Sequence, residues 1–64
     1  MMKGKVKMFN PERGFGFITG DDGKDTYFHK TAVEGGATLA VGDSVEYEIE
    51  QGDRGARAKN VKKV

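Results

Sequence analysis

Five short segments of alternating hydrophobicity, glycine-containing turn signals at the breaks between them, and no eleven-residue window with a helical stripe predict an all-β domain. The chain has 64 residues and no cysteine. A domain this small buries only about 60% of its unfolded surface, and here no disulfide or thiolate metal site reinforces the core. Closing the sheet on itself removes exposed edges, so a five-stranded OB barrel is the expected architecture. A deep enzymatic pocket is not expected at this size.

The first strand is expected from about Lys3 to Asn10, closed by the turn signal Asn10-Pro11. The second runs from about Gly14 to Thr19 and the third from about Asp25 to His29, with Asp22-Gly23 between them. Lys30 to Val33 reads as a single helical turn. The fourth strand is Ser44 to Glu50 and the fifth about Ala56 to Lys62, separated by Gly52-Asp53 and Gly55. No internal repeat, linker or low-complexity tail interrupts them.

The fourth strand sets inside against outside. Val45, Tyr47 and Ile49 share one face; Ser44, Glu46, Glu48 and Glu50 share the other. Unpaired carboxylates are almost never buried, so the Val-Tyr-Ile face is expected to be core. On the third strand Thr26 and Phe28 are assigned inward, because Tyr27 and His29 carry polar handles. On the second, Ile18 goes inward beside Gly16, whose missing side chain admits a close neighbour. That choice leaves Phe15 and Phe17 on the exposed face, and contiguous exposed aromatics mark a binding surface.

The net charge of +1 conceals an asymmetry. Residues 1–14 carry four bases against one acid, residues 15–53 two bases against nine acids, and residues 54–64 five bases and no acid. Basic ends around an acidic middle give a polarised surface if the ends meet in the fold. On charge alone, ordinary solubilisation is the favoured explanation.

The segment Arg13-Gly14-Phe15-Gly16-Phe17-Ile18 resembles the RNP1 pattern of basic, Gly, aromatic, Gly, Phe, aliphatic. Two rings spaced by two on a strand turn their faces to one side, where bases stack and the cation meets phosphate. Taken alone the segment is more readily core, since phenylalanine is usually buried. Tyr27 and His29 shift that balance, offering two more rings at the same spacing on a neighbouring strand. An RRM would need two amphipathic helices that this chain has no room for.

Over essentially its whole length the chain resembles the bacterial cold-shock proteins. The resemblance rests on Gly4-Lys5-Val6-Lys7, Phe9-Asn10, Arg13 through Ile18, Asp25, His29, Ala32, Gly42 and Val45. It continues through Glu48-Ile49, Gly52, Arg54-Gly55, Ala58 and Asn60-Val61. It implies one domain over residues 1–64, a five-stranded antiparallel OB barrel that binds single-stranded RNA and DNA. It also implies an ATP-independent RNA chaperone that influences transcription termination or translation, cytoplasmic and monomeric, with no cofactor and no membrane partner. Position by position, Lys7, Arg13, Phe15, Phe17, Tyr27 and His29 fall on ligand-facing places, and Arg54 on a basic place near the ligand.

Three aromatics of the family pattern are missing. Met8 stands where the family has Trp, and Lys30 where it has an aromatic. The stretch Gly35 to Leu39 is about two residues short, with Ala37 and Thr38 where a Phe would lie. Thr26 and Phe28 replace small aliphatics in the core, and Ala56 replaces a Pro. Stacking is worth ~1–3 kcal/mol per base, so binding is expected to be weaker and more dependent on salt. With about three to four phosphates neutralised, log K should fall against log salt with a slope of about −2 to −3. Met8 and Lys30 are kept as binding candidates, the first as a soft apolar surface and the second as a phosphate contact. Strict alternation would send Met8 inward with Val6; a bulge or a sharp bend in the first strand would reconcile the two.

Other signals are weak. The glycines from Gly14 to Gly20 do not match a dinucleotide fingerprint, since the third comes late and no helix follows. One His and no Cys leave no zinc site. No carboxylate is expected beside His29 on its own face, and no nucleophile accompanies it, so stacking suits it better than acid–base chemistry. The row of Glu46, Glu48 and Glu50 reads as a solvated edge that repels nucleic acid rather than a Ca²⁺ site. Lys3, Lys5 and Lys7 are not followed by an apolar stretch, so no signal peptide is expected, nor a membrane span of ~20 apolar residues. The competing reading is a structural or protein-binding barrel without nucleic-acid affinity.

Overall fold

The computed structural model describes residues 2–36, 39–53 and 55–64. Five strands close into a barrel: β1 (Met2–Asn10), β2 (Phe15–Gly20), β3 (Asp25–His29), β4 (Ser44–Gly52) and β5 (Gly55–Lys63). Around the barrel their order is β1-β2-β3-β5-β4. This is the expected all-β OB barrel. Its pairings are antiparallel except at the closing seam, where β3 meets β5 in parallel through Tyr27 and Arg57. Single 3₁₀ turns over Lys30–Ala32 and Glu34–Gly36 follow β3.

The connections follow from local chemistry. Asn10 Oδ1 accepts from the amides of Glu12 and Arg13 at 3.1 and 3.2 Å, an Asx turn that carries the chain past Pro11. Gly14 completes the reversal at φ +72°, where the left-handed backbone favours glycine. At Gly16 a side chain would strike the Met8 carbonyl oxygen and come within 2.8 Å of the Phe28 ring. The glycine therefore lets β1 and the core ring close over β2.

Two bulges set the facing of the long strands. In β1, Val6 pairs with Ile18 and Met8 with Phe17, so Lys7 is an extra residue. Val6 exchanges its backbone hydrogen bonds with Gly42 and Asp43 at 2.8 and 2.9 Å. The alternation reverses at Lys7: Val6 is buried, Met8 faces out, and Phe9 turns back to stack on Phe28 at 5.6 Å. In β5 the stretch from Lys59 to Lys62 spans one residue more than its partners Glu48 to Glu46. Asn60 there takes a left-handed φ of +51°, and its Nδ2 donates to Glu48 Oε2 at 3.0 Å.

The core comprises Val6, Ile18, Phe28, Val33, Leu39, Val45, Tyr47, Ala58 and Val61, with Met2, Phe9 and Ala32 packed at its margin. Thr26 joins it from β3, as its inward assignment requires. Ile49 does not: it is 41% exposed. Among the described residues the β1 pairing reaches Met2 opposite Tyr47, and beyond that point β4 pairs with β5 alone. Past Tyr47 the inner side of β4 lacks β1 as a neighbour, although Ala58 opposite Ile49 stays in the core and Arg57 still meets β3, so on β4 continued alternation no longer means burial. The glutamate row is also not a bare acidic edge. Glu46 lies between Lys3 and Lys62, Glu48 opposite Lys59, and Glu50 opposite Arg57. The acidic middle and the basic C-terminal segment thus offset one another across the β4–β5 pair.

Candidate nucleic-acid interface

The outward faces of β2 and β3 meet in register. Phe15 lies opposite His29, Phe17 opposite Tyr27, and Thr19 opposite Asp25. The three carbocyclic rings form one cluster. Phe15 and Tyr27 stack with centroids 6.0 Å apart at 27°, and Phe17 meets both edge-on at 6.3 and 6.1 Å. Because the rings shield one another, Phe15 and Phe17 are half-buried rather than fully exposed, whereas Tyr27 is 38% exposed. Of the three rings Tyr27 is the most open to solvent, and Phe15 and Phe17 each keep part of their surface accessible. The rings are held in place before any ligand arrives, which removes part of the ordering cost of binding.

The other candidate residues gather around this platform. Met8 sits beside Phe17 and is 36% exposed, on the outward side as the Lys7 bulge dictates. Arg13 is exposed on the β1–β2 turn at the Phe15 end. Lys30 comes to the same end. Its amide donates to the Gly14 carbonyl at 2.8 Å, and its stem covers Gly14 so closely that a Cβ there would lie 2.9 Å from Cδ. Two cations therefore flank one end of the ring cluster. Arg54 falls outside the described residues, as do Ala37 and Thr38.

His29 is oriented by the turn that follows it. Its Nδ1 accepts from the Thr31 amide at 3.2 Å, with the Thr31 hydroxyl 2.9 Å away. Accepting at Nδ1 puts the neutral ring's proton on Nε2, a donor free for a ligand.

Lys7 differs from its expected state. Its Nζ lies 2.7 Å from Asp25 Oδ2, and Asp25 Oδ1 accepts from Thr19 Oγ1 at 2.8 Å. The Lys7 and Thr19 hydrogen bonds hold the Asp25 carboxyl below its usual value despite slight opposing desolvation. Lys7 is thus already paired, and a phosphate must compete with Asp25 for it. Asp25 shares the outward face of β3 with His29 without lying beside it. The two lie at opposite ends of β3, and Asp25 is occupied by Lys7 and Thr19.

Sequence reasoning missed Arg57. It faces Tyr27 across the parallel seam, a pairing with no signature in local sequence. Among the described residues no three His, Cys, Asp or Glu side chains gather as a metal site, and no helix is long and apolar enough to cross a membrane.

Comparison with known proteins agrees with this geometry. The family model described as "'Cold-shock' DNA-binding domain" matches residues 2–64. Cold shock protein 2 of Lactiplantibacillus plantarum is 52% identical, with 95% of this chain and 96% of that protein covered. Cold shock protein CspB of Bacillus caldolyticus is 50% identical with both chains fully covered, 100% of each. The solved structure of drosophila Unr CSD456 superposes with a TM-score of 0.83 at 23% identity, covering 98% of this chain and 26% of that one. That last likeness speaks to the fold alone.

Proposed function

Since this chain belongs to the cold-shock domain family of nucleic-acid-binding proteins, we propose that it binds single-stranded RNA and DNA and acts as an ATP-independent RNA chaperone. Bases stack on Phe15, Phe17, Tyr27 and His29, with Met8 extending the surface. Arg13, Lys30 and Lys7 meet the phosphates, and Arg54 adds a further basic contact. The observation that carries this reading is the outward-facing, partly exposed cluster of three rings in one register block. A duplex hides its base faces, whereas an unpaired strand offers them, so the platform selects single strands. Holding melted segments shifts a folded transcript toward its open form by the difference in affinity, without ATP. Influence on transcription termination or translation follows from the same shift.

Tyr47 is fully buried, so Tyr27 is the tyrosine within reach of a ligand. Oligothymidylate or oligouridylate should quench Tyr27 fluorescence, with log K falling against log salt at a slope of about −2 to −3. The same protein should lower the melting midpoint of a weak RNA hairpin. Absence of any response in dilute buffer would refute the proposal.

A further inference from the structure

The outward residues form a row across the barrel. Met8 pairs with Phe17, Phe17 with Tyr27, and Tyr27 with Arg57. The aromatic row therefore ends on a guanidinium. Resting on the single-strand reading above, we propose that Arg57 binds a phosphodiester of the strand as it leaves the Tyr27–His29 edge of the platform.

Three observations support this. First, Arg57 stands where two grooves meet. One of about 770 Å³ runs from Tyr27 along Gly52, Gly55 and Ala56; one of about 320 Å³ begins at His29 and passes Lys59. A strand lying on the rings thus has an exit past Arg57. The carboxylates of Asp53, Glu34 and Glu50 border the two grooves against the cations Lys59 and Arg57, and Arg57 lines both, so it marks where an anionic backbone is favoured.

Second, the guanidinium is poised but not committed. Arg57 Nη2 lies 3.5 Å from Glu50 Oε1, and the two side chains are 57% and 40% exposed. So long and exposed a pair adds little to stability. Arginine has five donors in a planar fork, and one distant carboxylate oxygen leaves donors for a phosphate. Glu50 holds the fork beside the groove until a stronger acceptor arrives. Third, a Cβ at Gly52 would lie 4.0 Å from Arg57 Nε, so the head group passes a bare stretch of β4 with no side chain across it.

The test compares the wild type with Arg57→Gln and Glu50→Gln, titrating an oligothymidylate trinucleotide and octanucleotide at low and fourfold higher salt. Melting curves establish that both variants fold. Arg57→Gln should weaken the octanucleotide about three- to tenfold at low salt and flatten the log–log slope by about 0.7, the share of one phosphate. The penalty then shrinks about threefold at the higher salt. The trinucleotide, too short to pass the platform, should bind unchanged. Glu50→Gln should tighten the octanucleotide by removing the competing carboxylate, the reverse of what loss of a structural ion pair would do. Arg57→Gln with wild-type affinity and slope for the octanucleotide overturns the proposal, as does an equal loss on the trinucleotide. A wild type that binds neither oligomer overturns the platform reading along with it.

Discussion

The barrel interior and the β2–β3 face are built from the same residue types, one chain position apart. Phe28 is sealed in the core, while Tyr27 beside it is 38% exposed. Ile18 is sealed, while Phe17 beside it lies half-open in the ring cluster. Strand alternation alone decides which ring stabilises the fold and which is left for a ligand. Inside, an aromatic gains by excluding water from its whole surface. Outside, it keeps one face in water, a state that stacking on a base relieves. The two regions should therefore respond oppositely to the same kind of change.

The largest effect belongs to the interior. Phe28→Ala removes a ring that stacks on Phe9 and closes over Gly16. Such truncations cost ~3–5 kcal/mol, comparable with the whole stability of a domain this small. The variant should lack a cooperative thermal transition by circular dichroism.

On the outer face, Met8→Trp should act in the other direction. It adds a ring beside Phe17 at a position already 36% exposed. Oligothymidylate affinity should rise by about 1–3 kcal/mol, with the melting temperature little changed. A large loss of stability would mean that the Lys7 bulge does not hold position 8 outward.

Tyr47 sharpens the contrast from within. It is a core residue with a polar tip, and its hydroxyl is buried with no well-formed hydrogen bond among the described residues. Burial pushes the phenol up, and the nearby Thr26 side chain only partly offsets it. Tyr47→Phe should raise stability by about 1 kcal/mol, seen as a melting temperature higher by about 4–8 °C, with oligonucleotide binding unchanged. Destabilisation would show that the hydroxyl is satisfied.

The smallest effect concerns pH at the platform's edge. Asp25 has a folded value below its ordinary 3.8. Its contribution to stability is therefore present above that value and lost as pH falls through the lowered one. Asp25→Asn should slightly reduce stability at neutral pH and leave it nearly unchanged in strong acid, where the wild-type carboxyl is protonated. It should also free Lys7 and steepen the salt dependence of binding. A stability difference that persists undiminished in strong acid would remove the ion pair as its cause.

Much of this arrangement was legible in the sequence because it depends on local rules. Alternation placed Phe28 and Ile18 inside, and Asn10-Pro11 and Asp22-Gly23 marked their turns. The conflict between Val6 and Met8 pointed to a bulge or a bend in β1, and the register shows it to be a bulge at Lys7. What escaped was non-local. Ile49 obeys its strand's period yet lies past the last pairing with β1, a limit set by where another strand runs. The partners of the glutamate row, the capture of Lys7 by Asp25, and the meeting of Tyr27 with Arg57 all depend on register between distant segments. None has a pattern within its own stretch of chain.

The central claim is that Phe15 and Phe17 serve a ligand rather than the core. The direct test is the double variant Phe15→Ala, Phe17→Ala, melted and titrated with oligothymidylate in parallel with the wild type. Each ring is half-buried, so truncation should cost roughly 1 kcal/mol of stability apiece and leave a cooperative transition. Loss of two stacking surfaces should weaken binding by about 2–6 kcal/mol. A variant that unfolds, or one that stays folded and binds as tightly as the wild type, would contradict the account.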